Sequence, residues 1–75
     1  MNNLLYELNN PKLHAAYFTY KGKRYVFSGW WLLEWDNGDK EYDTIEEFLN
    51  DPIFEGKRLE EVINETSDVF FDHEP

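Results

Sequence analysis

The residues best spaced to do chemistry in this sequence are the carboxylates around Asn37-Gly38: Glu34, Asp36, Asp39 and Glu41, with Asp43 two positions further on. Asn-Gly is the strongest short hairpin signal, because both residues accept the positive φ of a type I′ turn. A two-residue loop at Asn37-Gly38 sets Asp36 opposite Asp39, Trp35 opposite Lys40, Glu34 opposite Glu41 and Leu33 opposite Tyr42. Like charges directly opposed across strands cost about 0.2–1 kcal/mol per pair. A chain that keeps two such pairs either tolerates that cost or uses the charge. In use, the carboxylates would accept hydrogen bonds from Arg forks or Lys on a basic protein. Glu46, Glu47, Asp51 and Glu55 extend the group along the chain. The competing reading is a solvated hairpin end whose charge discourages edge-to-edge sheet pairing.

Other chemistries find little footing. The chain has no cysteine, so thiol nucleophiles, thiolate metal sites and disulfides are all excluded. Its two histidines are His14, before or at the first strand, and His73, near the carboxyl end, and neither Ser28 nor Ser67 sits in a G-x-S-x-G elbow. No phosphate-cradling glycine motif occurs. Asp36-Asn37-Gly38-Asp39 starts like a calcium loop, but such a loop needs its glycine at the sixth position and a bidentate glutamate at the twelfth. Asp72-His73-Glu74 offers ligands only in what reads as a mobile tail. The expectation is a protein that is not an enzyme and holds no cofactor and no metal.

Two further groups bear on binding. Trp30 and Leu32 share the face of Glu34 in a strand reading of this segment. Exposed, they would be interface anchors, since Trp is enriched at binding hot spots. The favoured expectation is that the N-terminal helix or Val69-Phe70-Phe71 covers them. Lys21, Lys23 and Arg24, beside Tyr20 and Tyr25, form the only basic cluster. Three cations on a chain of net charge −9 make a poor nucleic-acid footprint. The charge is uneven: residues 1–33 carry four cations and one acid, and residues 34–75 carry three cations and fifteen acids. Such a second half repels nucleic acid and anionic membrane and draws basic partners. No stretch reads as a signal peptide or a bilayer span, which makes the cytoplasm the expected location.

These residues need elements to position them. At 75 residues the chain reads as one small domain over 1–75, supported by packing alone. Aromatics make up 19% of it, and Trp30, Trp31 and Trp35 are expected to be the densest part of the core. A short helix over about 3–9 carries Leu4, Leu5 and Leu8 and stops at Pro11. From about 14 to 42 the pattern is an antiparallel meander of three or four strands. Tyr17–Tyr20 and Arg24–Phe27 flank Lys21-Gly22-Lys23, and either two-residue loop puts Phe18, Tyr20, Tyr25 and Phe27 on one face. Ser28-Gly29 marks a turn or bulge, Trp30–Trp35 a third strand, and Trp31, Leu33, Trp35 and Tyr42 a second core face. The stem of Lys40 lies over Trp35 in this register. Thr44 with Glu47 forms a capping box for a helix over 44–50, with Ile45, Phe48 and Leu49 on its apolar side. Leu59, Val62 and Ile63 repeat that spacing over about 58–65. Asp68–Asp72 is either a short edge strand or a packed tail. The fold class is α+β.

The function expected is a small acidic protein-binding module, an inhibitor or adaptor, docking on a basic, nucleic-acid-binding surface of a partner protein. Glu34, Asp36, Asp39, Glu41, Asp43, Glu46, Glu47 and Trp30 are its candidate contact residues. The alternative is a structural or regulatory domain that acts by self-association as a homodimer, with the acids serving solubility alone. Carboxylates on a continuous face favour the first reading; acids interspersed with Lys40, Lys57 and Arg58 favour the second.

Overall fold

Alternation of large apolar and polar residues along 13–28 is what sets the architecture. The computed structural model describes residues 3–28 and 31–73. Strands β1 (Leu13–Tyr20) and β2 (Lys23–Ser28) form the first hairpin, with Phe18 opposite Tyr25 and Ala16 opposite Phe27. Its loop is Lys21-Gly22, at φ 48° and 77°. Positive φ at both loop positions is the type I′ geometry that matches strand twist, and Gly22 takes it without a Cβ penalty. β3 (Leu32–Trp35) pairs with β2, and β4 (Gly38–Glu41) pairs with β3. The last strand, β5 (Thr66–His73), returns to the other side of β1. The sheet order is β4-β3-β2-β1-β5, antiparallel throughout.

The described residues therefore form an α+β fold with five strands, one more than the upper end of the expected three to four. The segment Asp68–Asp72 is part of an eight-residue edge strand rather than a tail. β5 holds its place because Val69 and Phe71 turn inward onto the core, and Asp68, at φ 52°, absorbs an extra residue between Phe70 and Ser67. His73, read from sequence as part of a mobile tail, sits 2.8 Å from Glu7 at the chain's other end.

Three short helices cover one face of the sheet: α1 (Leu4–Glu7), α2 (Ile45–Asn50) and α3 (Leu59–Val62), the last continued by a 3₁₀ turn over Ile63–Glu65. Each agrees with its expected span to within a few residues. Thr44 caps α2 by accepting the Glu47 amide at 3.2 Å. The Glu47 carboxylate reaches back one residue further than a standard capping box, to the amide of Asp43 at 2.8 Å. At α3 the carboxylate of Glu61 accepts the amide of Arg58 at 2.8 Å, which holds its pKa below the ordinary range.

The core lies between sheet and helices, and its centre is phenylalanine rather than tryptophan. Phe18, Phe27, Phe48 and Phe54 are fully buried with Leu4, Leu33, Leu59 and Val62. Phe27 stacks on Phe48 with ring centroids 4.2 Å apart, and Phe54 meets Phe18, Tyr20, Tyr25 and Phe48. Trp31 and Trp35 are only half-buried at the margin, so the tryptophan-rich segment is not the densest part of the core. An indole is large and seldom fully buried, and a domain of this size has little interior to hold one.

The second hairpin departs from the expected register. Trp35 pairs with Gly38, Leu33 with Lys40, Glu34 with Asp39 and Leu32 with Glu41. The loop is Asp36-Asn37, and Gly38 has entered the strand with φ outside the left-handed region. The Trp35 indole accounts for this placement: its ring lies 3.1 Å from where a Cβ on Gly38 would sit. Glycine lets the ring lie close over the facing backbone, where a Cβ would be tightly crowded. Lys40 accordingly lies across from Leu33 instead of over Trp35, and β3 begins at Leu32. A shift of two keeps every residue on its expected face.

Candidate functional site

Antiparallel pairing lines up a row of residues on the face of the sheet that no helix covers. Asp39 lies opposite Glu34, Glu34 opposite Val26, Val26 opposite Tyr17 and Tyr17 opposite Phe70. The row crosses all five strands, a span of about 19 Å at 4.8 Å per strand. Glu41, Leu32 and Ser28 stand beside it in the next row. This face is acidic at the β3–β4 end and aromatic at the β1–β5 end.

The acidic end contains most of the sequence-derived candidates. Glu34, Asp39 and Glu41 are exposed on the open face, and Asp36 is exposed in the loop between β3 and β4. Asp43, Glu46 and Glu47 are exposed around the start of α2. Glu41, Glu46 and Glu47 line one open cleft between β4 and α2 with Lys40 and Asp51. The acids thus wrap around the edge strand β4 from the open face into this cleft. The opposed like charges expected at Glu34/Glu41 and Asp36/Asp39 become a single pair, Glu34 against Asp39; Glu41 faces Leu32, and Asp36 has left the ladder for the loop. Trp30 lies outside the described residues. Leu32 is half-buried on the open face, with α1 in the helical layer beyond the sheet and β5 three strands away, so neither expected cover lies over it.

Three of the cations are held by carboxylates outside this group. Lys21 Nζ pairs with Glu55 at 2.7 Å, joining the Lys21-Gly22 turn to a second tight turn at Glu55-Gly56. This contact lowers the pKa of Glu55 and raises that of Lys21. Lys40 Nζ meets Asp51 Oδ2 at 2.6 Å, and the Tyr42 hydroxyl donates to the same oxygen at 2.7 Å. The hydrogen bond from Lys40 is the main reason the Asp51 carboxyl is held below its ordinary range, with Tyr42 adding to it. Burial, then the neighbouring carboxylate, pushes the Tyr42 phenol well up. Arg58 pairs with Glu60 and Glu61, and His73 with Glu7, whose pKa that contact lowers. Glu34, Asp36, Asp39, Glu41, Asp43 and Glu46 make no ion pair and no side-chain hydrogen bond among the described residues. Asp51 and Glu55, grouped with them by sequence, belong instead to the fold's own ion pairs. Of the cations expected to intersperse a solubility surface, Lys57 and Arg58 are elsewhere, and Lys40 alone stands at the acidic edge.

The aromatic end is what sequence reasoning missed. Phe70 is 62% exposed and Tyr17 37%, with ring centroids 5.7 Å apart. Reading Asp68–Asp72 as a possible tail hid the alternation that turns Phe70 outward while Val69 and Phe71 turn in. A separate cleft of about 380 Å³ opens between the loop after α1 and the facing ends of β1 and β2, lined by Leu8, Pro11, Leu13, Phe27, Trp31 and Ile45 together with Asn9 and Asn10. Among the described residues no ionisable group lines it. Among the described residues no three His, Asp or Glu gather to hold a metal ion, and no helix is long and apolar enough to cross a membrane. No known family model, curated protein or solved structure matches this chain.

Proposed function

We propose that this protein is a small acidic binding module, an inhibitor or adaptor, that docks its β3–β4 edge on a basic surface of a partner protein. The observation that carries this reading is the sorting of charge. Among the described residues, six carboxylates within residues 34–46 make no ion pair, while Lys21, Lys40 and Arg58 engage Asp51, Glu55, Glu60 and Glu61. Unpaired carboxylates at close spacing keep their full capacity to accept Arg and Lys hydrogen bonds. They also speed encounter with a positive surface. A surface built to receive nucleic acid is such a partner, because it already presents Arg and Lys for an anionic ligand.

The test is retention of partner protein on the immobilised full chain, in lysate of its source cell, followed against salt. One dominant basic protein released at moderate ionic strength is the expected result, since exposed charge attraction is screened there. The triple variant Glu34→Gln, Asp39→Asn, Glu41→Gln should retain that protein at least about tenfold more weakly while its fold is kept. Undiminished retention by this variant, or a sizing profile showing a dimer and no basic partner, would replace this reading with self-association.

A further inference from the structure

Building on that reading, we infer that the partner is held by the open face of the sheet as well as by its acidic edge, and that it presents a basic segment carrying a bulky apolar side chain. The aromatic pair is the second anchor. Phe70 and Tyr17 sit on the same cross-strand row as Glu34 and Asp39, three strand spacings, about 14 Å, from Glu34 at the Phe70 end. An outward Phe on an edge strand forgoes the burial that holds Val69 and Phe71, and aromatic side chains dominate interface energetics. Val26, half-buried between Tyr17 and Glu34, joins the aromatic end to the acidic end without a break.

Charge decides which occupant fits. On this face Arg24 is the sole cation among the described residues, against Glu34, Asp39, Glu41, Asp68 and Asp72. A second copy of the chain would bring another excess of carboxylates onto the first. A nucleic acid or an anionic bilayer would meet the same repulsion. A basic protein segment pairs with the acids while its apolar side chain covers Phe70 and Tyr17.

The test uses two synthetic peptides of equal charge: eight lysines, and the same eight lysines followed by a short spacer and a Leu-Trp pair. Each is titrated into the isotopically labelled full chain, with amide shifts and affinity read together. The expected result is that the Leu-Trp peptide binds about tenfold tighter, the worth of burying one such side chain. It should shift the amides of Tyr17, Val26 and Phe70 along with those of 34–41. Phe70→Ser should erase that advantage and leave octalysine affinity unchanged. Equal affinities for the two peptides, or shifts confined to 34–46, would overturn the role of the face and leave the acidic edge standing. Failure of both peptides to bind at low salt would remove the acidic edge as well. Shifts at Tyr17 and Phe70 that follow protein concentration without peptide would assign the face to a second copy and overturn the inference.

Discussion

The sheet of this protein has two faces built from one alternating sequence. Inward, Phe18, Tyr25, Phe27 and Leu33 meet Phe48, Leu59 and Val62 from the helices and Phe54 from the segment between α2 and α3, and all of them are buried. Outward, Tyr17, Val26 and Phe70 share the strands with Glu34, Asp39 and Glu41, and no helix covers them. The charged groups divide along a similar line. Asp51, Glu55 and Glu61 each have a cation at hand, whereas Glu34, Asp39 and Glu41 make no ion pair among the described residues. A residue on the inner side is explained by what it touches within the chain. On the outer face the carboxylates of Glu34, Asp39 and Glu41 have no such partner among the described residues, and that contrast motivates the docking reading.

The contrast is sharpest for two phenylalanines. Phe48 is fully buried and stacked on Phe27, with Tyr42 and Phe54 at its edges. Truncating it removes its burial and leaves a cavity that short helices can only partly close. Phe48→Ala should cost about 3–5 kcal/mol, a large fraction of the stability of a domain this size. Denaturant titration followed by tryptophan fluorescence measures it. Phe70→Ser should cost about 1 kcal/mol or less in the same titration, the worth of its cross-strand contact with Tyr17. A comparable loss for the two would mean that the outer face is structural after all.

Among the acids the largest effect belongs to Asp51, which serves Lys40 and Tyr42 at once. Asp51→Ala strands the phenol of buried Tyr42 and should cost about 1–3 kcal/mol. Its pH dependence has a definite sign. The carboxyl is held below its ordinary value of 3.8 when folded, so its contribution is complete above that value. It is lost as pH falls through the folded pKa. Stability measured at neutral pH and again below the carboxylate range should therefore fall less steeply for Asp51→Ala than for the parent. Glu7, Glu55 and Glu61, lowered in the same direction, keep the remaining slope acid-sensitive.

Local signals made most of this fold legible in the sequence. Gly22 beside Lys21 announces the first hairpin, Thr44 with Glu47 starts a helix, and Leu59, Val62 and Ile63 share one helical face; each involves neighbours a few residues apart. What the sequence hid depends on distant partners. That Gly38 lies beneath the Trp35 ring, and so shifts the β3–β4 register by two, follows from a contact no turn preference contains. That β5 pairs with β1 across some fifty residues depends on tertiary packing of Val69 and Phe71, so the outward position of Phe70 was not visible. The acids of the candidate site could be named from sequence, but which were already neutralised could not. Lys40–Asp51 and Lys21–Glu55 bring together residues eleven and thirty-four positions apart.

The smallest effect expected separates the two kinds of acid most directly. Glu34 and Asp39 are directly opposed across β3 and β4, exposed, and without a cation. If their charge serves the fold, neutralising one should cost stability, as is expected at Asp51. If it serves a partner, the fold bears a repulsion it would be better without. Asp39→Asn keeps the side chain's shape and removes the like-charge contact, so it should stabilise the protein by about 0.2–1 kcal/mol. That gain should shrink in high salt, where the repulsion is already screened. Paired urea titrations of parent and variant at low and high salt resolve both parts. A gain at low salt, together with weaker retention of a basic partner, would show one carboxylate being kept at the expense of stability for the sake of binding.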